Sequence, residues 1–179
     1  MLINPNTMPR LKTQPPAVLL PWITHPTSMT EKLRLAAGQA KLQVLRQQWD
    51  LPNWWDVHHV KISDKSVMHR EILMSADEDA CWYARTILPH TTYQSNPLFF
   101  DQLQNQSLGK LIFSNPDVKR ISLSHYAIDK ESIEYHWLNG AMHNNEPVLW
   151  VRLSSFTIND CFPFYLVEIL LPGLLRATN

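Results

Sequence analysis

The chain has 179 residues, 45% of them apolar and seven of them Trp, which is enough to bury one core and too apolar for a disordered chain. Sixteen basic and sixteen acidic side chains cancel, so no global charge recruits nucleic acid or an anionic membrane. Four glycines leave little material for a P-loop, a nucleophile elbow or a dinucleotide fingerprint, and none of these occurs. Cys81 and Cys161 stand far apart without metal-type spacing, the first fourteen residues hold no apolar stretch of signal length, and no run approaches the ~18 apolar residues of a membrane span. The expectation is a reduced, cytoplasmic protein with no stable membrane insertion.

Residues 1–20 are punctuated by Pro5, Pro9, Pro15 and Pro16 and read as a segment lying over the surface, ahead of a single domain over 21–179. Ser28-Met29-Thr30-Glu31 has the capping-box pattern of a helix start, and Gly38 suits the position after its end. Ala40 to Leu45 reads as a strand or, almost equally, as a helix. Downstream the period is mostly two: 57–63, 66–75, 81–89, 118–128, 131–138, 148–156 and 164–171 all read as strands. A helical interlude from Pro97 to about Phe113 interrupts the run, and no repeat is visible. Short connections imply antiparallel pairing. The fold class is α+β, a single antiparallel sheet of about six strands with a few helices packed on one side.

The pair 66–75 and 81–89 reads as a hairpin turning at Asp77-Glu78. A turn centred there sets Met68 opposite Ile87, Arg70 opposite Arg85, Ile72 opposite Tyr83 and Met74 opposite Cys81. One face is then core with two guanidinium groups facing each other inside it, an arrangement that is unfavourable unless an anion joins them. Arginine suits bidentate capture of a carboxylate or phosphate. A loop longer by one residue moves Arg70 opposite Ala84 or Thr86, and each arginine can instead reach a sheet edge. Glu168, in Phe164-Tyr165-Leu166-Val167-Glu168-Ile169-Leu170-Leu171, either lies exposed on an edge strand or is buried with a partner, in a setting suited to sharing or exchanging a proton. His58-His59 would point to opposite faces of a strand, and His125 and His136 have no third ligand in view, so no metal site is expected.

Ser28-Met29-Thr30, Arg70-Glu71-Ile72-Leu73, Ala84-Arg85-Thr86-Ile87-Leu88-Pro89, Leu108-Gly109-Lys110-Leu111-Ile112-Phe113 and Val167-Glu168-Ile169-Leu170-Leu171-Pro172 resemble, in this order, the chorismate pyruvate-lyase family. The resemblance runs from Pro21 to Pro172. It implies a six-stranded antiparallel sheet whose product is enclosed by flaps, and a cofactor-free lyase that converts chorismate into 4-hydroxybenzoate and pyruvate for ubiquinone biosynthesis. It further implies a monomer whose partners are chorismate and a retained 4-hydroxybenzoate. Carried over residue by residue, Arg70 holds the ring carboxylate, Glu168 meets the ring hydroxyl, and Met29 and Leu108 lie on the flaps. Arg85 matches the second arginine of the family and is the candidate for the enolpyruvyl carboxylate or the departing oxygen, so that Arg70, Arg85 and Glu168 are the expected catalytic residues. Ala84 stands where the family usually has Gly. The same fold resembles the effector-binding domains of bacterial repressors, which makes a non-catalytic aromatic-carboxylate binder the alternative. With about twenty-five Pro-rich residues before the first helix, no DNA-reading domain of the kind such repressors carry is expected.

Overall fold

A computed structural model describes residues 13–104, 106–143 and 145–178, so most of the proline-punctuated segment lies outside the described residues. The part within them does form elements: a 3-10 turn Ala17–Leu19 runs into helix α1, Leu20–Ile23. Pro21 sits in the first turn of α1, where its missing N–H costs nothing.

Six strands form one antiparallel sheet: β1 (Lys41–Asp50), β2 (Val67–Ala76), β3 (Asp79–Pro89), β4 (Val118–Ile128), β5 (Leu149–Ile158) and β6 (Phe162–Leu170), in the order β1-β2-β3-β6-β5-β4. That order is symmetric about the β3/β6 seam. Helix α2 (Met29–Ala37) leads into β1-β2-β3, and α6 (Leu108–Phe113) leads into β4-β5-β6. A repeat that side-chain identities conceal is therefore present in the backbone. Both outer strands carry a bulge, at Val44/Arg46 and at Arg120/Ser122, and β2 and β5 share one alternation of buried and half-buried positions along ten residues.

Both halves begin with the same cap. Ser28 Oγ accepts from the Glu31 backbone N–H and Ser107 Oγ from that of Lys110, and Gly38 closes α2 with a positive φ of 78°. Between the halves run α4 (His90–Ser95), α5 (Pro97–Phe100) and a 3-10 turn, Asp101–Gln104, so the expected helical interlude begins one helix earlier. Two expected strands are absent. At 57–63 the chain forms α3 (Trp54–His58) and a loop, because Asn53 and Asp56 build a reciprocal capping box that starts a helical turn. At 131–138 it forms a 3-10 turn, Ile133–Trp137, inside the long β4–β5 connection, which also holds α7 (Gly140–His143).

These two segments cover the second face of the sheet. The first face packs on α1, α2, α4–α6 and the C-terminal α8 (Gly173–Thr178) through a core including Trp22, Leu33, Met74, Trp82, Phe100 and Phe164. The second packs Val67, Tyr83, Val151 and Val167 against Trp55 and Leu138. The expectation of helices on one side only is thus corrected. Strands β3 and β6 are apolar on both faces, and a sheet of that kind needs two covers. No helix among the described residues is long and apolar enough to cross a membrane.

Helix α8 lies so close to β3 that a Cβ on Gly173 would run into the backbone carbonyl of Ala80. Gly173→Ala should therefore destabilise the protein by about 1–3 kcal/mol, the usual scale for overpacking a tight contact. Urea unfolding measures it, and an unchanged midpoint would show that α8 docks differently.

Candidate active site

Arg70 is the fourth residue of β2, a strand covered on both faces, and only 2% of it is exposed. Its Nη2 donates to the Gln106 carbonyl at 3.2 Å, while Nε has no hydrogen-bond partner. Burial without a neighbouring carboxylate pushes its pKa down to about 10. A desolvated guanidinium with an unused N–H is a receptor for an anion.

The structure separates Arg85 from Arg70. The turn falls at Asp77-Glu78 as expected, with Ala76 opposite Asp79, but β3 carries one extra residue, Cys81, between the partners of Ser75 and Met74. Beyond this bulge Arg70 faces Thr86 and Arg85 faces Glu71, so the two guanidinium groups leave opposite faces of the sheet. Both Cys81 and Trp82 are buried in the helix-side core at the bulge. Arg85 donates through Nη2 to Glu71 at 3.0 Å and through Nε to the Tyr83 hydroxyl at 3.2 Å, and its guanidinium lies 3.8 Å over the Trp137 ring. Its charge is satisfied where it is, and the paired-arginine reading of this hairpin falls.

Glu168, in contrast, faces the same side as Arg70. It is opposite Ala84 on β3 and Arg152 on β5, so it occupies the middle of the sheet and not an edge. Arg152 is the partner that a buried glutamate requires: fully buried, it holds Nη1 3.5 Å from Glu168 Oε2 and donates through Nη2 to the His25 carbonyl at 2.8 Å. Arg120, on the bulged edge strand β4, lines the same cavity and donates to the Pro26 carbonyl. The sequence reading passed over both arginines. Arg152 had a visible signal, since Leu149-Trp150-Val151-Arg152 sets one cation in an apolar strand just as Val67-Met68-His69-Arg70 does.

The cavity between Arg70 and Glu168 has a floor of Ile72, Ala84, Thr86 and Leu166. Arg70 and Glu168 are separated by the single strand β3, hence by roughly 10 Å across the sheet at the usual strand spacing. Its roof is made of the two capped helix starts. Met29 and Leu108, each the first residue after its serine cap, are buried, and a Cβ on Gly109 would stand 3.1 Å from Ser28 Oγ. The two flaps therefore touch. Ala84 points its methyl group up from the floor, directly between Ile72 and Glu168 in the row. Four of the five expected residues, Arg70, Glu168, Met29 and Leu108, meet at this cavity. Among the described residues no group of three or more His, Cys, Asp or Glu side chains is arranged to hold a metal.

Comparison with known proteins agrees with this architecture. A probable chorismate pyruvate-lyase of Aromatoleum aromaticum is 29% identical over 183 residues, covering 98% of each chain. The chorismate pyruvate-lyase of Pectobacterium atrosepticum is 25% identical over 165 residues, covering 89% of this chain and 82% of that one. Among solved structures, the ligand-binding domain of a GntR-family regulator from Bordetella bronchiseptica superposes with a TM-score of 0.52 at 16% identity, over 76% of this chain and 85% of that one. A GntR-family regulator from Bacillus cereus gives 0.51 at 13% identity, over 74% and 92%. At such identities these two regulators share the fold and nothing more. The chorismate lyase family profile matches residues 6–174, a span that takes in both flaps and all six strands, and this chain belongs to that family.

Proposed function

We propose that the chain eliminates pyruvate from chorismate and leaves 4-hydroxybenzoate, with the ring carboxylate on Arg70 and the ring hydroxyl on Glu168. The observation that carries this is the pair of ends of one roofed, partly open cavity: a desolvated, anion-free guanidinium at one and a buried carboxylate at the other. A ring with a carboxylate and a hydroxyl on opposite carbons matches both ends. Sequence kinship with chorismate pyruvate-lyases supports the substrate.

The reaction breaks the ether bond between a ring carbon and the enolpyruvyl oxygen, and that oxygen leaves with the electron pair. The hydrogen on the neighbouring ring carbon, which bears the hydroxyl, departs as a proton, and its electrons complete the aromatic ring. Ring and three-carbon fragment together keep every atom, since the proton lost from the ring is regained when the enolpyruvate becomes pyruvate. Aromatisation supplies much of the driving force, so the protein's task is to orient, desolvate and stabilise the leaving charge. Glu168 is set to accept a hydrogen bond from the ring hydroxyl, with Arg152 supplying the countercharge that keeps a buried carboxylate tolerable. The flap residues Met29 and Leu108 exclude water. The proposal includes the family's expected setting, a monomer in the cytoplasm that supplies the aromatic precursor of ubiquinone without a cofactor.

Mixing purified protein with chorismate and following the aromatic product by ultraviolet absorbance tests the activity. Tight binding of 4-hydroxybenzoate without turnover would instead make this a carboxylate-binding protein of the same fold. Arg70→Ala should weaken 4-hydroxybenzoate by about 30-fold or more, because truncating one side of a buried charge pair costs ~2–5 kcal/mol. Glu168→Gln keeps shape and one acceptor oxygen; a role in proton transfer predicts a fall in turnover of roughly 100-fold with product binding retained. A role in orientation alone predicts that most turnover survives, and single-turnover kinetics separates the two.

Arg85→Met gives the contrasting result. Stability should fall towards the lower end of the ~3–5 kcal/mol that breaking a buried pair costs, because Arg46 still faces Glu71 at 3.4 Å. Affinity for 4-hydroxybenzoate should stay within about threefold, as expected for a site on the other face of the sheet. A tenfold loss of affinity in a folded variant would return Arg85 to the ligand's surroundings.

A further inference from the structure

The cavity and its immediate wall hold more positive charge than one carboxylate ligand and Glu168 can neutralise. Arg70 lines the cavity at one end and Arg120 lines it with Glu168, while the fully buried Arg152 stands in the wall as the ion-pair partner of Glu168. Three guanidinium groups against one carboxylate leave a formal charge of two in excess. Lys32 approaches Arg152 from α2 and adds to the positive side. Burial first, and Arg152 second, hold the Arg120 and Lys32 cations below their usual basicity. Arg120 Nε and Arg152 Nε are buried without a hydrogen-bond partner.

The fold's internal symmetry explains where this second cationic centre comes from. Arg70 is the fourth residue of β2 and Arg152 the fourth of β5, the strands with matching burial along all ten positions. Each donates its Nη2 to a backbone carbonyl just ahead of a flap, Arg70 to Gln106 before α6 and Arg152 to His25 before α2. Arg152 is thus the counterpart of Arg70 in the other half of the sheet. The half of the cavity built around Arg70 receives one carboxylate, and its counterpart has the same chemistry with Arg120 added.

We propose that Arg120, with Arg152 behind it, forms a second carboxylate subsite, which makes the site favour dianions over monoanions and holds the carboxylate of the enolpyruvyl arm that leaves. This rests on the chorismate reading and adds to it a role for two residues outside the Arg70–Glu168 axis. The bound substrate would cancel the excess of two charges, whereas 4-hydroxybenzoate, with one carboxylate, leaves the second subsite unfilled. Arg120 and Arg152 therefore discriminate substrate from product, and they neutralise the three-carbon fragment as its ether oxygen gains the electron pair.

Two ligands test this without turnover: 3-(carboxymethoxy)benzoate, which carries a second carboxylate on an ether arm, and 3-methoxybenzoate, which does not. Calorimetry on the intact protein should find the dicarboxylate bound at least about tenfold more tightly, as fits an added desolvated charge pair. That advantage should collapse in Arg120→Met and in Arg152→Met, while 3-methoxybenzoate affinity in Arg120→Met changes by less than about threefold. Arg120 is half-exposed, so its variant keeps the test decisive if Arg152→Met, which strips Glu168 of its partner, fails to fold. With chorismate, Arg120→Met should raise KM by about tenfold or more and leave inhibition by 4-hydroxybenzoate nearly unchanged. Equal affinity for the two benzoates in the unmodified protein, or an advantage that survives in a folded Arg120→Met, overturns the subsite. Absence of any chorismate turnover in the unmodified protein would overturn the proposed reaction instead, and the benzoate comparison would still decide the subsite.

Discussion

One extra residue in β3 sorts the charges at the centre of the sheet. Because side chains alternate between faces, the bulge at Cys81 sends Arg70, Ala84, Thr86 and Glu168 to the helix side and Glu71, Tyr83 and Arg85 to the other. The second face then closes on itself, with Arg85 held by Glu71 and stacked on Trp137. The first face is left with cations that the fold does not neutralise. Without the bulge Arg85 would point into the cavity, Glu71 would lose its buried partner, and the site would be crowded by a fourth guanidinium. The cavity's unbalanced charge is therefore a product of backbone register as much as of residue identity.

Much of this was legible in the sequence because period-two patterning survives wherever a strand is half or fully buried. β4 runs over the span expected for it, 118–128, and β2, β3, β5 and β6 differ only at their ends. The serine-capped start of α2 was visible too, since a cap is a local hydrogen-bonding pattern. What escaped was non-local or backbone-borne. The bulge involves Ala80, Cys81 and Trp82, none of which marks an irregular strand, and one residue of slippage was enough to put Arg85 on the wrong face. Ile133, Tyr135 and Trp137 alternate as a strand would, yet the segment is a 3-10 turn that lays Trp137 beneath Arg85. The Asn53/Asp56 capping box is a local pattern too, but the alternation at 57–63 reads as a strand and hides the helical turn that the box starts. The repeat of helix and three strands was hidden because symmetry of burial does not require symmetry of residue names.

The GntR-family regulators share with this chain the fold, a sheet whose two halves meet at a central seam. In this chain each half contributes a cation and a capped flap. The β3/β6 seam joins them at Ala84 and Glu168, where a small side chain lies beside a long one. Ala84 is buried in the helix-side core and also lines the cavity, so any group added there takes up space in both.

Arg70 and Arg152 also tie down the flap starts. Arg70 holds the carbonyl of Gln106 and Arg152 that of His25, while each keeps other N–H groups without a partner. A guanidinium has five donors in a fixed fork, so it can retain the flap carbonyl and accept a carboxylate at the same time. Closure and occupancy then do not compete for the same hydrogen bonds. Arg70 and Arg152 thus brace the two flap starts from within the sheet, and the flaps meet over a cavity that is still partly open. The two braces are separate hydrogen bonds from separate halves of the sheet, so loosening one flap start leaves the other anchored.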